Sequence, residues 1–330
     1  MSSDVELVEV TRGGRVECVH RGHVVVCDAA GDVVWALGDP SAVIYPRSSC
    51  KMVQALPLLE SGAAAAMGLR QDQLALTTAS HIAADYHTDR VNAWLGDLGL
   101  TDDDLRCGPQ MPRETEARDA LIRAGGTPCQ AHNVCSGKHA GFLTLTKHLK
   151  AGPEYNDISH PLQVAIKQTF EEVTGEDSPG YGIDGCSAPN HATTVHGLAR
   201  AMAMFANAHK HSDTRSTAAT TLVQAMAAFP ELVNGHGRSA TELMRLVGNG
   251  AALKDGADGM YIAILPQLGY GVAIKITDGA DRGADAAIAM VLDKLGVLPD
   301  SPAAREWTRP QIRNRRNIHC GDIRPAAALS

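Results

Sequence analysis

The chain has 330 residues, 44% of them apolar and 20% charged, enough for a large buried core and ordinary for a folded soluble protein. Its formal charge of −7 argues against a nucleic-acid binder, and no apolar run reaches the length that spans a membrane. The start, Met1-Ser2-Ser3-Asp4-Val5-Glu6, is acidic and lacks the basic and apolar segments of a leader, so a cytoplasmic protein is expected.

Residues 15–20, 22–28 and 32–37 are rich in Val and separated by short turns, which predicts an antiparallel meander. Pro46 then suits a helix entry and Gly62 a helix exit, with Met52, Ala55, Leu56 and Leu59 at helical spacing between them. Pro57 falls inside that pattern and should kink it. Helices are expected over 70–76, 84–99, 114–125, 137–150, 159–174, 191–210, 215–228 and 239–247. Strands return at 261–265 and 270–277, joined by Pro266-Gln267-Leu268-Gly269, and 284–295 reads as an amphipathic helix. The Arg-rich tail from Pro299 reads as a solvated linker, with a final strand near 320–324 as the alternative.

Strands at both ends and helices between them imply an α/β (α+β) architecture. One antiparallel sheet is drawn from both chain ends, with a helical lobe inserted. The division expected within one domain of 1–330 is a sheet lobe of about 1–64 and 251–330 and a helical lobe of about 65–250. Aromatics are only 4% while Ala and Gly abound, which points to close packing of small residues.

Three spellings carry chemistry. In Ser48-Ser49-Cys50-Lys51, Ser48 and Lys51 are one helical turn apart, so hydroxyl and amine share a face. Serine needs a base to attack at neutral pH, and lysine serves once burial or a second cation removes its proton. A capping serine followed by a surface lysine has the same spelling. Ser80 in Thr78-Ala79-Ser80-His81 offers a second hydroxyl. Lys254, just ahead of the strand at 261–265, offers a second cation able to depress Lys51 or activate Ser80.

The other two spellings are Cys135-Ser136-Gly137-Lys138-His139 and Asp184-Gly185-Cys186. Cys135 shares a helix face with Lys138 and His139. With Cys186 arriving from a loop, two thiolates and a nitrogen suit zinc with one open position. Histidine is the usual nitrogen ligand, and a lysine must first lose its proton. Buried thiols, a core histidine and a helix-face lysine are the competing account. A disulfide is disfavoured in a cytoplasmic chain whose eight cysteines are scattered. Asp184 is either a turn-former or a carboxylate for an ammonium group, on a substrate or on Lys138.

Taken together, these residues resemble the L-asparaginase II family, the Rhizobium etli-type asparaginases. The resemblance runs from Arg12-Gly13-Gly14 through Ser48–Met52, Ala79-Ser80-His81, Arg106-Cys107-Gly108, Cys135–His139, Asp184-Gly185-Cys186 and Gly256–Gly259 to Gly321–Pro325. It implies a serine β-lactamase-like (penicillin-binding-protein-like) fold, a homodimer, and hydrolysis of L-asparagine to L-aspartate and ammonia through a Ser-Lys acyl-enzyme. It implies two Ser-Lys pairs, Ser48 with Lys51 and Ser80 with Lys254, with Ser48 favoured as nucleophile. It also implies a zinc (Zn2+) site of Cys135, Lys138 and Cys186 that helps hold substrate, the lysine being the nitrogen ligand. Asp184 and His139 are then the candidate substrate-binding residues. The rivals are another serine amidohydrolase, such as a glutaminase or a β-lactamase- or peptidase-like relative, and a non-catalytic zinc-binding relative.

Overall fold

The strands of the computed structural model, which describes residues 3–330, are β1 Val5–Arg12, β2 Arg15–Cys27, β3 Val33–Leu37, β4 Val43–Ile44, β5 Tyr181–Ile183, β6 Pro189–His191, β7 Thr193–Thr194, β8 Ala252–Gly256, β9 Met260–Leu265, β10 Tyr270–Ile276, β11 Gln311–Arg313 and β12 His319–Pro325. The main sheet runs β11-β12-β1-β2-β10-β9-β8, with β3 also paired to β2. Every pairing in it is antiparallel. Two small pairs, β4 with β7 and β5 with β6, lie apart from it. Met1 and Ser2, part of the acidic start, lie outside the described residues.

The expected sheet from both chain ends is therefore present, and it is larger than the sequence suggested. The strand at 5–12 was missed because its apolar positions do not alternate cleanly. Register shifts at Glu6/Val8 and Val10/Thr11 break the period of two. The two strands expected at 15–20 and 22–28 are one, β2. Gly22 sits where β1 gives way to β3 along that strand's edge, and a Cβ there would lie 2.1 Å from the Lys275 carbonyl oxygen. Of the two readings of the tail, the final strand near 320–324 is the one found, as β12.

The helices are α1 Lys51–Glu60, α2 Ala63–Ala66, α3 Gln71–Thr77, α4 Asp85–Asp97, α5 Thr115–Arg123, α6 Ser136–His148, α7 Pro161–Thr174, α8 Val195–Asn207, α9 Thr214–Ala228, α10 Pro230–Val233, α11 Ser239–Val247, α12 Asp281–Lys294 and α13 Pro302–Thr308. Helix α1 continues past Pro57 to Glu60. The helix expected over 191–210 starts only at Val195, because β6 and β7 precede it and the Thr194 side chain caps it by accepting from the Gly197 N–H. None of the described helices is long and apolar enough to cross a membrane.

The centre of the sheet is covered on both faces. All six residues of β9 are buried, and α8 and α12 both pack on β9 and β10. That is why β9 reads as a continuous apolar run instead of an alternating one. The close approach relies on small residues, as the composition implied: a Cβ on Gly271 would lie 2.0 Å from the Ala203 nitrogen of α8. Helix α8, which comes from the stretch 65–250, packs on this sheet.

Candidate active site

The Ser48 turn is a 3₁₀ segment, Arg47–Cys50, running directly into α1. Arg47 takes a left-handed backbone (φ 53°), unusual for a residue with a side chain. Its guanidinium is held by Asp184, with Nε to Oδ1 at 3.0 Å, and by Asp258. From below, β8 presses on the turn: a Cβ on Gly256 would lie 2.8 Å from the Pro46 carbonyl oxygen and 3.0 Å from the Ser49 nitrogen. Only glycine lets the strand carrying Lys254 come this close.

Lys51 opens α1 and is 1% exposed. Its amine donates to Ser80 Oγ (3.0 Å), to Cys135 Sγ (3.2 Å) and to the Ala79 carbonyl. The Ser48 hydroxyl has no hydrogen-bond partner among the described residues. The lysine one turn after Ser48 thus addresses Ser80. Ser80 follows α3, and its backbone is fixed from two sides: its N–H donates to the Val233 carbonyl (2.8 Å) and its carbonyl accepts from Asn234 Nδ2 (3.3 Å).

Lys254 lies within β8, not in a loop ahead of the strand, and is fully buried. Its amine contacts the Asp255 carboxylate and donates to the Asp255 carbonyl at 2.8 Å. Burial lowers its pKa to about 8; Asp255 opposes this and the cation of Lys51 adds to it. Asn234 Nδ2 also donates to Asp255 Oδ1 (3.0 Å), so one buried amide links the Ser80 backbone to the Lys254–Asp255 pair. Nothing in the motif spelling singles out Asn234.

Cys135 caps α6, and the glycine of Cys-Ser-Gly-Lys-His is a packing device. A Cβ on Gly137 would lie 2.5 Å from the Leu76 carbonyl oxygen of α3. Lys138 Nζ is 3.1 Å from Cys186 Sγ. A hydrogen bond from Cys135 drives the Cys186 thiol well below its usual range, against burial and helped by Lys138, while the Cys135 thiol is pushed up by donating and by burial. Burial works against the Lys138 charge, but Cys186, Cys135 and Asp184 overcome it and raise its pKa. All cysteines are free. Among the described residues no three His, Cys, Asp or Glu side chains are arranged to hold a metal. The donor set that converges is two cysteines and a lysine, soft enough for zinc.

Asp184 is half-buried. Burial pushes its carboxyl up, but Lys138 and Arg47 hold it below its usual range. His139 is fully buried in the core and is not among the residues lining the cleft described next. Tyr155 Oη accepts from the Arg106 N–H (2.6 Å) and shares a hydrogen bond with His139 Nδ1 (2.9 Å), while the buried His139 Nε2 has no partner among the described residues.

One cleft of about 760 Å³ joins these groups, lined by Ser48, Ser80, Cys135, Asp184, Cys186 and Asp255 among others. The three lysines lie beneath its surface. It brings both serines and both thiols to one opening. A hydroxyl with a buried amine behind it, in a polar cleft, is equipped for acyl transfer.

A family model described as L-asparaginase II matches residues 8–325. No curated protein matches the chain. Among solved structures, one titled Mglu in its native form is 12% identical with a TM-score of 0.48, over 86% of this chain and 66% of its own. A putative β-lactamase from Bacteroides dorei is 12% identical with a TM-score of 0.42, over 82% of this chain and 93% of its own. A Bacillus glutaminase is 13% identical with a TM-score of 0.38, over 84% and 91%. The chain thus spans just under two thirds of the first of these, and likenesses this distant say nothing of its activity.

Proposed function

The chain belongs to the L-asparaginase II family, and from that membership we propose that it hydrolyses L-asparagine to L-aspartate and ammonia by serine-lysine acyl transfer. The observation that carries the chemistry is the buried Lys51 amine, 3.0 Å from Ser80 Oγ, beneath a cleft that Ser48 also lines. A serine oxygen forms a bond to the side-chain amide carbon and its proton passes to a lysine amine. The proton then goes to the departing nitrogen, which leaves as ammonia, and water cleaves the β-aspartyl ester.

Ser48 is the proposed nucleophile on its motif and its unengaged hydroxyl. A second reading has its own support: the Lys51 amine bonds to Ser80, which favours Ser80 as the serine it deprotonates. Lys254, with its lowered pKa, is the candidate for the remaining proton transfer. Cys135, Lys138 and Cys186 would hold a zinc ion, which supplies a Lewis acid that binds substrate. Loading it requires the Lys138 ammonium to lose a proton, so metal uptake is favoured at higher pH.

The experiment is ammonia release from asparagine and glutamine, beside ring opening of a β-lactam, with and without chelator. Asparagine turnover above that of the other two is expected, with some glutamine turnover because one methylene is worth only about 1–3 kcal/mol. No ammonia from asparagine ends the reading. Faster release from glutamine makes the protein a glutaminase on the same site.

A further inference from the structure

Six charged residues line the cleft: Arg47, Arg113, Asp184, Asp255, Asp258 and Asp281. Four are already committed. Arg47 is paired with both Asp184 and Asp258, and Asp255 with Lys254. Arg113 and Asp281 differ: among the described residues neither side chain makes a hydrogen bond or an ion pair. They are opposite in sign and face one opening.

The backbone around Arg113 is pinned although its guanidinium is not. Gln110 Oε1 accepts from the Val134 N–H (3.2 Å), next to Cys135, and the Glu114 N–H donates to the Ile82 carbonyl (2.8 Å), just after Ser80. Glu114 then caps α5 by accepting from the Ala117 N–H. The stretch carrying Arg113 is thus tied to both the thiol and the serine segments. Asp281 stands in the first turn of α12, whose inner face is locked against β9 and β10. Its neighbour Arg282 turns elsewhere, to His20 and Cys18.

An amino-acid amide carries an α-carboxylate and an α-ammonium beside the bond that is cut. Each needs an opposite charge, and an arginine fork suits a carboxylate. We propose that Arg113 binds the α-carboxylate and Asp281 the α-ammonium of the substrate, making this pair the selector for free amino acids over simple amides. The proposal rests on the amidohydrolase reading for its substrate class. Because asparagine and glutamine share both charged ends, the pair sets this selection and leaves chain length to other contacts.

The test compares asparagine with its two truncated forms. β-Alaninamide lacks the α-carboxylate and succinamate lacks the α-amino group. Arg113→Ala is expected to raise KM for asparagine about 10- to 100-fold, the range for a charge-assisted hydrogen bond, and KM for β-alaninamide less than about threefold. Arg113→Lys should recover part of the loss. Asp281→Asn should raise KM for asparagine and spare succinamate. Equal losses on intact and truncated amides, or no loss, overturn the assignment. A calorimetric arm, independent of turnover, measures L-aspartate, succinate and β-alanine binding to the wild type and the same variants. Aspartate binding that both variants weaken, in a protein releasing no ammonia, ends the hydrolase reading and leaves the ligand pair standing. A wild type that binds no aspartate ends this proposal whatever the ammonia assay gives.

Discussion

Lys254 and Lys138 are both buried, at 0% and 2% exposure, yet their environments pull them in opposite directions. Burial disfavours the ammonium in each. Around Lys254 the neighbours are divided: Asp255 supports the charge and Lys51 opposes it, so burial prevails and the pKa falls to about 8. Around Lys138 the neighbours agree, since Cys186, Cys135 and Asp184 all support it, and the ammonium is kept. Depth alone therefore does not make a lysine a base. Burial with divided neighbours favours the neutral amine on the serine side, and the company of thiols and a carboxylate favours an ion pair on the other.

The most direct way to break the contrast is to remove the cation that Lys254 faces. Lys51→Met should lower ammonia release about 10²- to 10⁴-fold at every pH, as loss of a general base does. An unchanged rate would refute Lys51 as base. Ser48→Ala should abolish turnover in a folded protein; near-normal turnover would move the nucleophile to Ser80.

The next test acts on pH. The Lys254 amine is protonated below about 8 and neutral above, so activity should climb as pH rises through that value. Asp255 holds the proton on. Asp255→Asn should therefore shift the rising limb to lower pH, by about one pH unit or more, a shift read from the rate profile. A limb moved upward contradicts the assignment.

On the thiol side, replacing Cys135 and Cys186 together by Ala should take zinc from about one per chain to none by elemental analysis. KM for asparagine should rise more than kcat falls. No zinc in the wild type after mild purification removes the site. The smallest effect is expected at the joint between the regions. Gly256→Ala must push against Pro46 and Ser49, at a cost of about 1–3 kcal/mol in a denaturation curve, with part of the activity retained. A neutral outcome would show that β8 and the Ser48 turn are not held in close contact.

The motifs were legible because each is local: Cys135 with Lys138 on one helix face, Ser48 with Lys51 at a helix start. What the sequence could not show was partnership across elements. That the Lys51 amine finds Ser80 depends on how α3 lies against α6, set by Gly137 against Leu76. That Asn234 bridges Ser80 and Asp255 depends on where α10 ends. The β12 strand could be read only as an alternative to a linker because its apolar positions are few and its pairing is with β1, which was itself unread. Arg113 and Asp281 carry no motif. Their distinction is the lack of partners, a property only of the folded chain.

The sheet also has a consequence for how the protein comes into being. Strand β2 pairs with β10, and β1 with β12, so β1 and β2 must wait for strands made much later. At about 5–20 residues per second, the wait on a ribosome is on the order of tens of seconds. During it, Ser48, Lys51 and Ser80 already exist in the nascent chain while Lys254 and Asp281 do not. Assembly of the cleft is thus deferred until Lys254 and Asp281 have been made. A half-made chain exposes unpaired strand edges while its cleft still lacks Lys254 and Asp281.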